Sequence, residues 1–161
     1  MIYTIFEDNT AGNFSPFTLN HSVVEIRCGA FSILEKFCHT FPDDEIILVI
    51  RDNLKDIVTE RYPGIVVNPD IIPPSICINA LVSNFNDNKW HFRLEEEISL
   101  SDFKIPYNIM NQKYLWNFLS QDSFNQDKEK FNMNIEGDCH SSCIINNKNN
   151  IHISSSAKIS A

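Results

Sequence analysis

The feature that most constrains this chain is an alternation in its first half. Short, almost wholly apolar runs are separated by stretches with helical spacing. MIYTIF (Met1–Phe6), EIILVIR (Glu45–Arg51) and GIVVN (Gly64–Asn68) are rich in β-branched and aromatic residues, the mark of strands covered on both faces. Between the first two, AFSILEKFCHTF spaces Phe31, Leu34, Phe37 and Cys38 along one helical face, and Pro42 closes the segment. Between the second and third, Asp52 reads as the N-cap of a helix over NLKDIVTERY that Pro63-Gly64 stops. Strand, helix, strand, helix, strand implies right-handed crossovers and a parallel sheet. SICINALV (Ser75–Val82) adds a fourth strand after the turn-rich PDIIPP. The prediction is a three-layer α/β domain over residues 1–126, its sheet mostly parallel with the first strand central. WHFRL (Trp90–Leu94) reads as an edge strand or hairpin arm, QKYLWNFLSQDSF as a further helix, and EEEISLSDF has no clear period.

Residues 127–161 follow a different rule. Cys139, Cys143 and Ile145 stand at the same offsets from one another as Ile153, Ala157 and Ile159. A six-residue period with a small residue at one inward position suits a triangular coil of very short parallel strands. A frayed polar tail is the alternative; the two matching copies favour the coil. Ile153 and Ile159 are then expected inward, Ala157 at the tight corner, and His152 and Lys158 outward. Because such a stack needs about three repeats, the segment reads as a linker and the first rungs of a truncated solenoid.

Net charge is −8, so phosphate backbones and anionic membrane surfaces are repelled, and neither nucleic acid nor membrane is expected as a partner. The N-terminus lacks a basic start and a long apolar stretch, so a cytoplasmic location is the expectation. Five cysteines without a C-x-x-C pair read as reduced, mostly buried thiols. Cys139, His140 and Cys143 lie close in sequence, but no second pair completes a zinc set.

In an open α/β sheet, ligands collect beyond the carboxyl ends of the strands. The loop there is EDNTAGNFSPFTLNHSVVEIRCG. Gly12 lets backbone amides approach a ligand, and Asn9, Thr10 and Asn13 offer neutral donors to phosphate. One glycine makes neither a G-x-G-x-x-G nor a Walker loop, and a plain turn explains it equally. Arg27 is the only basic side chain between Met1 and Lys36. It suits a bidentate phosphate contact, or a pair with Glu25 or Glu35.

The order of pieces, DNTAGNFSPFTLNHSVVEIRCGAFSILEKF, then ICINALV and a terminal hexapeptide start, resembles a bacterial family of sugar nucleotidyltransferases. That family is related to the bifunctional N-acetylglucosamine-1-phosphate uridyltransferase and acetyltransferase. The resemblance implies a nucleotidyltransferase-like domain followed by a left-handed β-helix. It implies a nucleoside triphosphate and a sugar phosphate as ligands, magnesium as cofactor, and trimeric assembly through the β-helix. It places Asp8 at the family's acidic strand end and Pro16, Phe17 and Thr18 on its Pro-Leu-Thr. Arg27 falls on its arginine, as the catalytic candidate, with Asp8, Asn9, Gly12, Asn13 and Asn79 lining the nucleotide or sugar-phosphate pocket. The family's Arg-Pro pair falls on His21 and Ser22, which do not match. Related enzymes carry G-x-G-T-R, a downstream Pro-Lys and a metal-holding carboxylate near Asn79-Ala80, none of which is present here.

Two functional expectations follow. The leading one is nucleotidyl transfer from a nucleoside triphosphate to a sugar phosphate in cell-envelope or capsule sugar metabolism. The other is a catalytically silent interaction or regulatory domain attached to a hexapeptide acyltransferase, which the missing cations and carboxylate favour. A receiver-like domain unrelated to sugars is a third reading, which the hexapeptide tail opposes.

Overall fold

The computed structural model describes residues 1–27, 29–81, 91–104 and 134–160. The chain divides into two compact units, Met1–Ser120 and Gln121–Ala161.

In the first unit, β1 (Ile2–Phe6), β2 (Glu45–Val49), β3 (Val66–Val67), β5 (Ser75–Asn79) and β6 (His91–Leu94) form one sheet in the order β3-β2-β1-β5-β6. The β1–β2, β2–β3 and β1–β5 pairs are parallel, and β6 joins β5 antiparallel as the edge strand. The apolar runs thus became parallel strands with the first in the middle. The runs are longer than the ladders: β3 is two residues long, and β5 ends at Asn79, three positions before the expected Val82, which lies outside the described residues. Trp90, Cys28 and the helix expected over QKYLWNFLSQDSF also lie outside them.

Helix α1 spans Ile33–Thr40 and α2 Lys55–Arg61. Ser32 starts α1 through a capping box, accepting from the Glu35 N–H while the Glu35 carboxylate accepts from the Ser32 N–H. Asp52 is not an N-cap. It begins a 3-10 turn, Asp52–Leu54, that runs into α2, and its carboxylate instead accepts from Asn68 Nδ2 at 3.3 Å.

Alternation along the strands sends successive side chains to opposite faces. Tyr3, Ile5, Ile46, Leu48 and Ile78 pack in one core with Leu34 and Phe37 of α1 and Leu54 and Val58, which lead into and lie on α2. Phe6, Val49 and Cys77 pack in a second core with Ile72, Phe92, Ile98 and Phe103. Both described helices therefore cover one face, because consecutive right-handed crossovers from β1 to β2 to β3 step in one direction. Among the described residues, the opposite face is covered by an antiparallel ribbon, β4 (Ile71–Ile72) with β7 (Ile98–Ser99). PDIIPP, read as turn, and EEEISLSDF, without a period, supply those two strands. No helix among the described residues is long and apolar enough to cross a membrane.

The second unit pairs β8 (Asp138–Cys139) with β9 (Lys158–Ile159) in parallel, and Ile135 with Ile153 likewise. Partners are eighteen positions apart at Ile135–Ile153 and twenty at Asp138–Lys158. The two extra residues lie in the Ser154–Ser155–Ser156 turn, which the Ala157 N–H closes onto the Ser154 carbonyl. This turn folds over Gly137, where a Cβ would meet the Ser154 and Ala157 carbonyl oxygens and Ile153 Cγ2, each at 2.7 Å. Ile135, Gly137, Cys139, Ile151, Ile153 and Ala157 are half-buried, while His152 and Lys158 are exposed. Ile159, expected inward, is 38% exposed.

Candidate functional site

The strand order reverses at β1. Chain order proceeds from β1 to β2 and β3 on one side, then returns to place β5 on the other. The crevice between β1 and β5 at their carboxyl ends is thus the topological switch point where such sheets bind ligands. Asp8 follows β1 and Asn79 ends β5, and they meet there: Asn79 Nδ2 donates to Asp8 Oδ2 at 2.8 Å. Asp8 Oδ1 accepts the Thr10 N–H at 2.8 Å and the Thr10 hydroxyl, capping a 3-10 turn over Asn9–Phe14. Asn9, Gly12 and Asn13 are exposed on that turn. A Cβ on Gly12 would have nothing within 4 Å, so the space above it is open.

Arg27 stands apart from this group. Its guanidinium donates to the Ala30 carbonyl at 2.6 Å and lies 3.4 Å from the Glu35 carboxylate, with its side chain 65% exposed. Of the two sequence alternatives for Arg27, the Glu35 pair is the one formed; Glu25 is taken by Arg61.

Sequence reasoning missed the residues that hold the front loop. Glu7, the first charged residue after β1, is buried. Its Oε2 accepts from Ser22 Oγ and the Val23 N–H, each at 3.0 Å, and its Oε1 accepts from the Arg51 N–H at 2.8 Å and Arg51 Nε at 2.9 Å. Arg51 Nη2 also donates to the His21 carbonyl at 3.0 Å. Ser22 caps a second 3-10 turn, Val23–Glu25, through a capping box with Glu25. Glu25 Oε1 accepts from Arg61 Nη1 at 2.8 Å. His21 and Ser22 thus have local structural duties. The available signal was a charged residue closing each of two apolar runs, Glu7 after IYTIF and Arg51 after EIILVI. Asn68, at a positive φ of 46°, likewise joins two strand ends, exchanging hydrogen bonds with the Ile50 N–H and carbonyl.

Magnesium prefers oxygen ligands in near-octahedral geometry. Here Asn79 Oδ1 accepts the Leu81 N–H at 2.9 Å, which fixes the amide orientation and turns its NH2 toward Asp8. Among the described residues no group of three or more His, Cys, Asp or Glu side chains is placed to hold a metal ion, the Cys139–His140–Cys143 stretch included. The described donor set does not fit the magnesium that the resemblance implies.

The sugar nucleotidyl transferase family model matches residues 3–151, nearly the whole chain. This chain belongs to the sugar nucleotidyl transferase family. No curated protein and no solved structure matches it.

Proposed function

We propose that the Met1–Ser120 unit is a sugar-1-phosphate nucleotidyltransferase-like domain. It takes a nucleoside triphosphate and a sugar phosphate beyond the carboxyl ends of β1 and β5. One observation carries this reading: in a chain of this family, the switch point of the sheet coincides with the Asp8–Asn79 contact and the start of the open Asn9–Phe14 turn. Asp8, Asn9, Gly12, Asn13 and Asn79 line the pocket, and Arg27 leaves Glu35 to contact a phosphate. In the reaction, a sugar-phosphate oxygen attacks the α-phosphorus in line, and the bond to the departing pyrophosphate breaks. Both partners are anionic, so cations lower the barrier by screening them. The role proposed for the product is cell-envelope or capsule sugar metabolism in the bacterial cytoplasm, by a protein related to the bifunctional uridyltransferase.

The second unit is proposed as the opening coil of a left-handed β-helix, whose further coils would carry a homotrimer. Its support is the parallel pairing at spacings of eighteen and twenty with alternate residues half-buried. Light scattering on this chain and on a form extended by further hexapeptide coils tests it: an extended form that stays monomeric refutes the trimer.

A second reading, a catalytically silent interaction or regulatory domain attached to a hexapeptide acyltransferase, is favoured by the engagement of Arg27 with Glu35 and of Asp8 with Asn79. Calorimetric titration with UTP, dTTP and CTP, each with magnesium, decides between them. Heat from one nucleotide and pyrophosphate release on adding sugar 1-phosphates support the enzyme. No heat from any of them supports the silent domain.

A further inference from the structure

We infer that the Asn79 carboxamide occupies the place of a divalent cation beside Asp8, so that the β1–β5 crevice is closed by an amide–carboxylate bridge rather than by a metal. This deepens the site proposed above, and it stands on the bonding of the two side chains. An asparagine side chain can present either its oxygen or its NH2 to a neighbour. Here the choice is made by Leu81, whose N–H holds Asn79 Oδ1 at 2.9 Å. The NH2 must therefore face Asp8, which it meets at 2.8 Å. Flipping the amide to offer an oxygen to a cation would set NH2 against the Leu81 N–H, two donors face to face, and would leave the Leu81 N–H without its acceptor. Asn79 is 1% exposed and Leu81 fully buried, so water is poorly placed to replace that bond, and an unmade buried hydrogen bond is costly.

Asp8 completes the argument from its own side. Both its oxygens accept hydrogen bonds, from Thr10 and from Asn79, so a cation binding there must compete with donors already in place. The bridge does structurally what a bound metal does in a two-carboxylate site. It brings a partial positive charge between two strand ends and holds them together. A single exchange, Asn79→Asp, keeps the Leu81 contact but sets two carboxylates against each other at the same spacing. Like charges this close strongly resist joint ionisation, and a divalent cation relieves the conflict.

The test uses the full chain and metal alone, without nucleotide, so that a failure to bind nucleoside triphosphates leaves it undisturbed. Manganese is titrated into the wild-type protein, Asp8→Asn and Asn79→Asp, and free manganese is followed by electron paramagnetic resonance. Melting temperatures are recorded in chelator and in millimolar magnesium. The expected result is no manganese uptake by the wild-type protein, with a melting temperature indifferent to magnesium. Asn79→Asp is expected to melt lower in chelator, recover several degrees in magnesium, and bind about one manganese. Stoichiometric manganese binding by the wild-type protein that Asp8→Asn abolishes would overturn the inference. So would an Asn79→Asp protein that folds and ignores both metals. Should Asn79→Asp fail to fold, the comparison of wild type with Asp8→Asn still decides.

Discussion

Glu7 and Arg51 meet at 2.9 Å where β1 and β2 end, the carboxylate buried and the guanidinium one-third exposed. Their contact is one of four hydrogen bonds converging on Glu7, two from the front loop and two from Arg51. Removing the carboxylate strands two backbone N–H groups and a hydroxyl, each costing about 1–3 kcal/mol if buried without a partner. Glu7→Ala is therefore expected to lower stability by about 3 kcal/mol or more in urea unfolding. Arg51→Ala should cost less, since water reaches its guanidinium and the backbone bond from its N–H to Glu7 survives. Equal losses in the two variants would show that the ion pair, not the backbone contacts, dominates.

Arg27→Ala separates binding from folding. Its Glu35 partner lies at 3.4 Å on an exposed side chain, and such pairs contribute about 0–1 kcal/mol, so the melting curve should barely move. If Arg27 contacts phosphate, the variant loses about ten-fold in nucleotide or sugar-phosphate affinity, the value of a charge-assisted contact. Unchanged affinity by calorimetry would remove Arg27 from the site.

Cys77 sets an alkaline limit. Burial pushes its thiol from 9.0 up to about 11, only partly offset by the hydrogen bond with Ser75. The thiol stays protonated in the fold while the unfolded chain releases its proton near 9, so the native state binds more protons between these values. Its contribution is whole below pH 9 and lost as pH rises toward 11. Cys77→Val is expected to flatten the decline of stability over that range, measured by denaturant midpoints at each pH.

Gly137→Ala tests the second unit. Its Cβ would press on two carbonyl oxygens at 2.7 Å, backbone atoms that cannot swing aside as a side-chain tip can. Overpacking of this kind costs about 1–3 kcal/mol. Amide exchange should quicken at Glu136, Asp138 and Ile153, whose N–H groups make the parallel bonds, while β1 and β2 amides are unaffected. Protection unchanged at all three would refute the close approach.

The parallel sheet was legible because β1, β2 and β5 are buried on both faces, and burial writes itself as unbroken apolar sequence. β4 and β7 were not, since two-residue strands are too short for a period, and their pairing depends on side chains such as Ile72 and Ile98 meeting across the chain. At the candidate site, Asp8 and Asn79 were named only through the family resemblance, while Asn9, Gly12 and Asn13 were nameable from the loop itself. Their hydrogen bond was not, nor was the Leu81 N–H that orients it, because bonds across seventy-one positions leave no local trace. Asp52 misled for a related reason: a residue suited to capping a helix was claimed by Asn68 from the neighbouring strand end.

The front loop is fastened to the second strand–helix unit at three points: Glu7 links it to Arg51, Arg51 holds the His21 carbonyl, and Arg61 of α2 grips Glu25 and the Asn20 carbonyl. Loop and helix therefore share one mechanical fate. A ligand that reshapes residues 20–25 must do work on α2, and the slack that lets many binding loops close independently is absent from this stretch. A ligand of the proposed site would have to fit the loop as it stands.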